Sequence, residues 1–214
     1  MSMSRDRKPA DARDHASAAE VVECFRYESS LLGKLAFLIT GDQAAADQSV
    51  GKACEMTLRG NTPFRDWLLE WAKVATITSA ISQRAEAIRS YEPAYKDQRC
   101  THVEHLGQDD AEERAASLNL LLQADSRKLI AEIDPLCCAI LVIRVAIRSS
   151  IQDCVLRLNV SRAAVLAANC LAMTRLQDLH LKSLEEDHDV SPVCTAEAPP
   201  AHEEIYGFAS SGPE

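Results

Sequence analysis

Apolar residues in the first third of the chain recur at Val21, Cys24, Phe25, Leu31, Leu32, Leu35, Ala36 and Ile39, the spacing of one helix face. Ser17 and Glu20 form a capping box ahead of Val21. Gly41 predicts the end of that helix, and Asp42 predicts the cap of a second one over Ala44–Leu58. Gly60-Asn61 is the next break. Thr62 as cap and Pro63 at the first helical position predict a third helix to about Arg84. Its buried stripe is expected at Trp67, Leu68, Trp71, Val74, Ala75, Thr78 and Ile81. Three helices joined by short turns make a compact bundle.

The period fades from about Glu86 to Ser117, where Pro93, Gly107 and the acidic run Asp109–Glu113 predict a polar linker. It returns over Leu118–Ile133, and Asp134-Pro135 opens a further helix to about Ile147. Ser150 with Asp153 resembles a capping box for a short helix to Leu158. Asn159-Val160 then turns the chain, and Ser161 caps a last helix to about Leu184. The pattern contains no convincing strand. The expectation is an all-α chain of two small helical domains. A disordered N-terminus (1–16) precedes the three-helix bundle (17–86). The linker (87–117), a helix-turn-helix domain (118–184) and a disordered acidic tail (185–214) follow.

Composition agrees with helix. Gly (7) and Pro (8) are few, and aromatics make up 5% of the 214 residues. The formal charge of −9 argues against a nucleic-acid partner until its distribution is considered. Eight acids and no Lys or Arg lie beyond Leu184, so the body is near neutral. None of the eight cysteines makes a C-x-x-C pair, and most sit in apolar runs as small hydrophobes. The N-terminus has no apolar core of a signal peptide. Leu136–Ile147 is too short to span a bilayer. The expected compartment is a reducing cytoplasm. Cys100, His102 and His105 lack a fourth ligand at a sensible spacing, so no metal site is expected. No nucleophile motif, cofactor motif or small-molecule site stands out, and no catalysis is expected.

The informative span is SIQDCVLRLNVSRAAVLAANCLAMTRL (150–176). A short helix, a tight turn and a second capped helix are the parts of a helix-turn-helix. Asn159 tolerates the positive φ such a turn needs. Cys154, Val155, Leu158, Val160 and Val165 would supply the apolar contact between the two helices. An ordinary helical hairpin is the plain alternative.

Ser150, Asp153, Leu158–Ser161, Val165, Ala172 and Leu176 fall on the S-x-x-E-I-A-x-x-L-G-I-S-x-x-x-V…A…L pattern. That pattern marks the promoter-binding domain of bacterial extracytoplasmic-function (ECF) sigma factors. Asp134-Pro135-Leu136 and Ala139–Arg144 look like the same domain's opening helix. Ile39-Thr40-Gly41-Asp42 with Ala45 and Asp47 resembles the start of the family's polymerase-binding helix. Phe64-Arg65-Asp66-Trp67-Leu68 with Ala72-Lys73 resembles its promoter-opening helix. The resemblance covers two segments in the right order, and it implies promoter-directed transcription initiation through RNA polymerase core.

It also implies site residues. Asp42 and Asp47 would face polymerase. Phe64, Arg65, Trp67, Lys73 and Arg84 would work at the opened promoter. Arg157, Ser161, Arg162, Asn169 and Arg175 would lie on promoter DNA. Trp67 and Trp71 could stack on unpaired bases, but at this spacing such residues are more often core, the reading favoured for Trp71. The chain departs from the pattern where Val74 and Thr78 replace an Asn and an Asp. Four basic positions of the last helix have become Leu166, Ala168, Leu171 and Met173. Each lost phosphate contact lowers affinity and its salt slope. The alternative is therefore a non-DNA-binding sigma mimic that binds an anti-sigma factor or self-associates through the apolar last helix.

Overall fold

The computed structural model describes residues 14–95, 98 and 111–188, the side chains of 111–116 and 183–188 excepted. The all-α class holds: among the described residues there are ten α-helices and no strand. The expected first helix is two. In α1 (Ala18–Tyr27) Ser17 and Glu20 form the anticipated capping box, and α2 (Ser29–Thr40) follows after a break at Glu28. Gly41 ends α2 with φ +69°, where a side chain would be strained. Asp42 caps α3 (Gln43–Arg59), its Oδ1 accepting from the Ala45 N–H at 2.8 Å.

Thr62 and Pro63 do not open the next helix as the sequence predicts. Their backbone is held by the N-terminal segment: the Pro63 carbonyl accepts from the Ala16 N–H at 2.9 Å, and the Thr62 carbonyl meets His15 Nδ1 at 2.7 Å. Residues 14–16, expected to be disordered, are thus ordered, with Ala16 buried. A 3₁₀ turn (Arg65–Trp67) leads instead into α4 (Leu68–Ser90).

The region expected as linker is partly built. After α4 comes α5 (Glu92–Tyr95), whose Tyr95 is buried and donates its hydroxyl to Asp134 Oδ2. Leu118–Ile133 divides between α6 (Ala111–Gln123) and α7 (Ser126–Glu132), with Asp125 as the cap of α7. Asp134 caps α8 (Pro135–Ala146), with Pro135 at its start as anticipated. Then come α9 (Ile151–Leu158) and α10 (Arg162–His188), the latter running beyond the expected end at Leu184. The N-terminal 13 residues, Asp109-Asp110, the Cys100-His102-His105 group and the tail from Asp189 lie outside the described residues.

One apolar core reaches across both halves. Leu35, Ile39, Ile77 and Ala80 of α2 and α4 belong to the same buried cluster as Leu136, Ile140, Val165 and Leu176 of α8 and α10. A smaller cluster of Val21, Phe25, Leu32, Ala53, Leu68 and Ala72 seats α1. Lys34 adds a polar tie from α2, donating to the carbonyls of Leu122 and Ala124 at the end of α6. Desolvation in that position lowers the Lys34 pKa. Among the described residues no single helix is long and apolar enough to cross a membrane.

Candidate functional site

The helix-turn-helix is built by local chemistry. Ser150 Oγ accepts from the Asp153 N–H at 3.1 Å, and Asp153 Oδ2 accepts in return from the Ser150 N–H at 2.9 Å. The Ser150 hydroxyl also donates to Asp153 Oδ2 at 2.8 Å, and that bond, together with the one from the Ser150 N–H, holds the Asp153 carboxyl below its usual pKa. Asn159 takes the left-handed conformation, φ 53°, ψ 52°, as its place in the turn predicts. The chain bends by 112° between α9 and α10, within the ~90–120° of helix-turn-helix pairs. Cys154, Leu158, Val160 and Val165 are buried and Val155 half-buried, matching the expected apolar contact.

The last helix presents a different face from the one the DNA reading needs. Asn169 is 1% exposed, and neither its Oδ1 nor its Nδ2 meets a partner among the described residues. Its expected role as a base reader is corrected: an Asn at this depth does not reach a groove. Ala164, Val165, Ala167, Ala168 and Ala172 are buried with it. Of the four positions that have lost a basic residue, Ala168 is 0% exposed, and Leu171 and Met173 pack on the core. Most of the apolar stretch packs into the chain's own interior, while Leu166 stays half-exposed.

Arg157 and Arg162 are exposed near the turn, while Arg175 faces Asp178 at 3.6 Å. Ser161 Oγ accepts from the Ala164 N–H at 3.3 Å, so Ser161 caps α10 as expected. Its own N–H donates to Glu92 Oε1 at 2.9 Å. A carboxylate from α5 therefore stands at the end of the helix where a phosphate would dock. No local signal marks Glu92 in the sequence, since the contact spans 69 residues.

The residues expected at the opened promoter are only partly gathered. Phe64, Arg65 and Trp67 lie together, with ring centroids of Phe64 and Trp67 6.2 Å apart and edge to face. His15 stacks on Phe64 at 4.4 Å. Trp67 is 70% exposed and Trp71 48%, so the expectation that they line a buried stripe is overturned. The buried face of α4 keeps the expected Leu68 and Ile81 and adds Ala72, Thr76, Ile77 and Ala80, while Val74, Ala75 and Thr78 are half-buried. Lys73 is 8% exposed and bound to Glu70 at 2.7 Å, which removes it from the outer face. Arg84 stands about three and a half turns further along α4 than Trp71, beside Gly41 and outside the aromatic group.

Both cations here are committed. Arg65 Nε lies 2.8 Å from Glu20 Oε1, and that pairing joins the Ser17 bonds in lowering the Glu20 pKa. Trp67 lines an apolar hollow of about 560 Å³ with His15, Pro63, Phe64, Trp71 and Val74. Trp67 and Phe64 also line a polar notch of about 450 Å³ with Asp14, Arg65 and Asp66.

Asp42 and Asp47 are exposed at the start of α3, where Asp47 Oδ1 accepts from Gln43 Nε2 at 2.8 Å. The thiols offer no reactive group in this region. Burial pushes Cys137 and Cys138 each up to about 12, and Cys154 to about 11. Cys24, Cys54, Cys137, Cys138 and Cys154 are free, whereas Cys170 is disulfide-bonded. No family model, curated protein or solved structure matches the chain.

Proposed function

We propose that the chain is a sigma-factor-like transcription protein that acts in promoter-directed initiation through RNA polymerase core, with little DNA contact of its own. It performs no catalysis. The observation that carries the reading is the helix-turn-helix itself: a capped α9, a left-handed Asn159 and a Ser161-capped α10 at 112°, on the residues that resemble the sigma pattern. The bundle ahead of it keeps Asp42 and Asp47 exposed where the resemblance implies a polymerase contact. DNA contact is then confined to the cations near the turn, Arg157 and Arg162.

Buried Asn169 and the Glu92 carboxylate at the head of α10 favour a second reading. In it the chain keeps a sigma shape but not its DNA chemistry, and its partner is an anti-sigma factor. Co-purification of the tagged full chain with bacterial core polymerase separates the two. Retention of core that weakens in an Asp42→Ala/Asp47→Ala variant supports the first reading. Failure to hold core, with tight binding to an anti-sigma factor, replaces it with the second.

A further inference from the structure

We propose that the Trp67 ridge is a docking site for an arginine-bearing segment of a protein partner, and not for a nucleic-acid strand. The inference stands apart from the transcription reading, because the chemistry of the ridge is the same whichever protein supplies the arginine.

The first support is shape. Trp67 stands 70% exposed and lines both the apolar hollow of about 560 Å³ and the notch of about 450 Å³. Large aromatics left in water beside a hollow are the residues that become anchors in protein interfaces. The hollow is large enough for one long side chain and its neighbours.

The second support is charge. A single-strand site couples stacking aromatics to a positive groove that follows the phosphates. The ridge has the aromatics without the groove. Arg65 is spent on Glu20 and Lys73 on Glu70. Asp14 and Asp66, at the notch, have no ion pair or side-chain hydrogen bond among the described residues. A phosphate would meet unpaired carboxylates there, and a guanidinium would meet what it binds best.

Arginine also fits the two-sided geometry. Its methylene stem covers apolar wall while the planar head stays at the polar end. The head can stack on the Trp67 face and accept carboxylates in its fork of donors. A lysine ammonium could use the charge, but it stacks less well on the ring.

The chain carries its own reporter, since Trp67 and Trp71 are its only tryptophans. The test is a fluorescence titration of the full chain with a short capped peptide of alternating arginine and leucine. The same peptide with glutamate for arginine and a short single-stranded DNA oligonucleotide serve as competitors. We expect a saturable change in emission with the arginine peptide and none with the glutamate peptide. Asp14→Asn/Asp66→Asn should weaken the arginine response about tenfold, a loss of about 1.4 kcal/mol, with helical circular dichroism unchanged. No saturable change overturns the proposal, as does tighter binding of the oligonucleotide. Equal affinity in the double variant overturns the role of the carboxylates and with it the choice of arginine.

Discussion

Two regions carry most of the positions that the sigma resemblance assigns to nucleic acid, and they differ from that pattern in opposite ways. At the 3₁₀ turn and the start of α4 the aromatic residues stand in solvent while Arg65 and Lys73 are neutralised by Glu20 and Glu70. On α10 the four positions are apolar, with Ala168 buried beside Asn169 and Leu166, Leu171 and Met173 half-buried. One surface keeps its anchors and loses its charge. The other turns much of the expected reading face inward. Packing tolerates apolar replacements that DNA contact does not, so a fold by itself does not fix the chemistry of a site.

The strongest way to break this comparison is to put charge where α10 is buried. Ala168→Arg should cost several kcal/mol, a large part of the ~5–15 kcal/mol of a typical domain. Ala163→Arg, one turn earlier and exposed, should stay within about 0.5 kcal/mol. Thermal unfolding of the pair checks it, and equal melting temperatures would show that the α10 face is free.

Next in size is the core that joins the halves. Ile140→Ala should destabilise by about 2–5 kcal/mol. Because α2, α4, α8 and α10 share that core, it should shift one cooperative transition. Two separate denaturation steps would show that the halves unfold independently.

Asn169→Ala sharpens the contrast. An unpaired buried amide costs roughly 1–3 kcal/mol, so its removal should offset the lost packing. The variant is expected to be neutral or more stable by about 1 kcal/mol, with unchanged affinity for duplex DNA. A loss of DNA affinity would restore Asn169 as a reader. The smallest effect belongs to Trp67→Ala, expected within about 0.5 kcal/mol by denaturant titration. A large destabilisation there would make the aromatic ridge part of the core.

The caps were legible because their causes are local. Ser17, Asp42, Asp134, Ser150, Asn159 and Ser161 each act within three or four residues, and the structure uses all six as read. Thr62-Pro63 failed for the opposite reason: its backbone is held by His15 and Ala16, some 47 positions earlier. Trp67 and Trp71 also misled, since an i, i+4 aromatic pair has the same spacing on a buried face and on an exposed one. For α10 the lack of polar residues pointed to burial or an interface, and only the tertiary packing decides between them. Glu92 and Tyr95 were illegible because each acts on a partner far along the chain, Ser161 and Asp134.

The proposed reading pairs a helix-turn-helix geometry with few residues able to contact DNA. The salt dependence of binding to labelled duplex DNA, measured by anisotropy with and without core polymerase, tests it most directly. With Arg157 and Arg162 as the available contacts, binding by the chain alone should be weak, with little sequence preference and a slope of log affinity against log salt near −2. A slope of about −6 or steeper, with discrimination between sequences that Asn169→Ala abolishes, would contradict it.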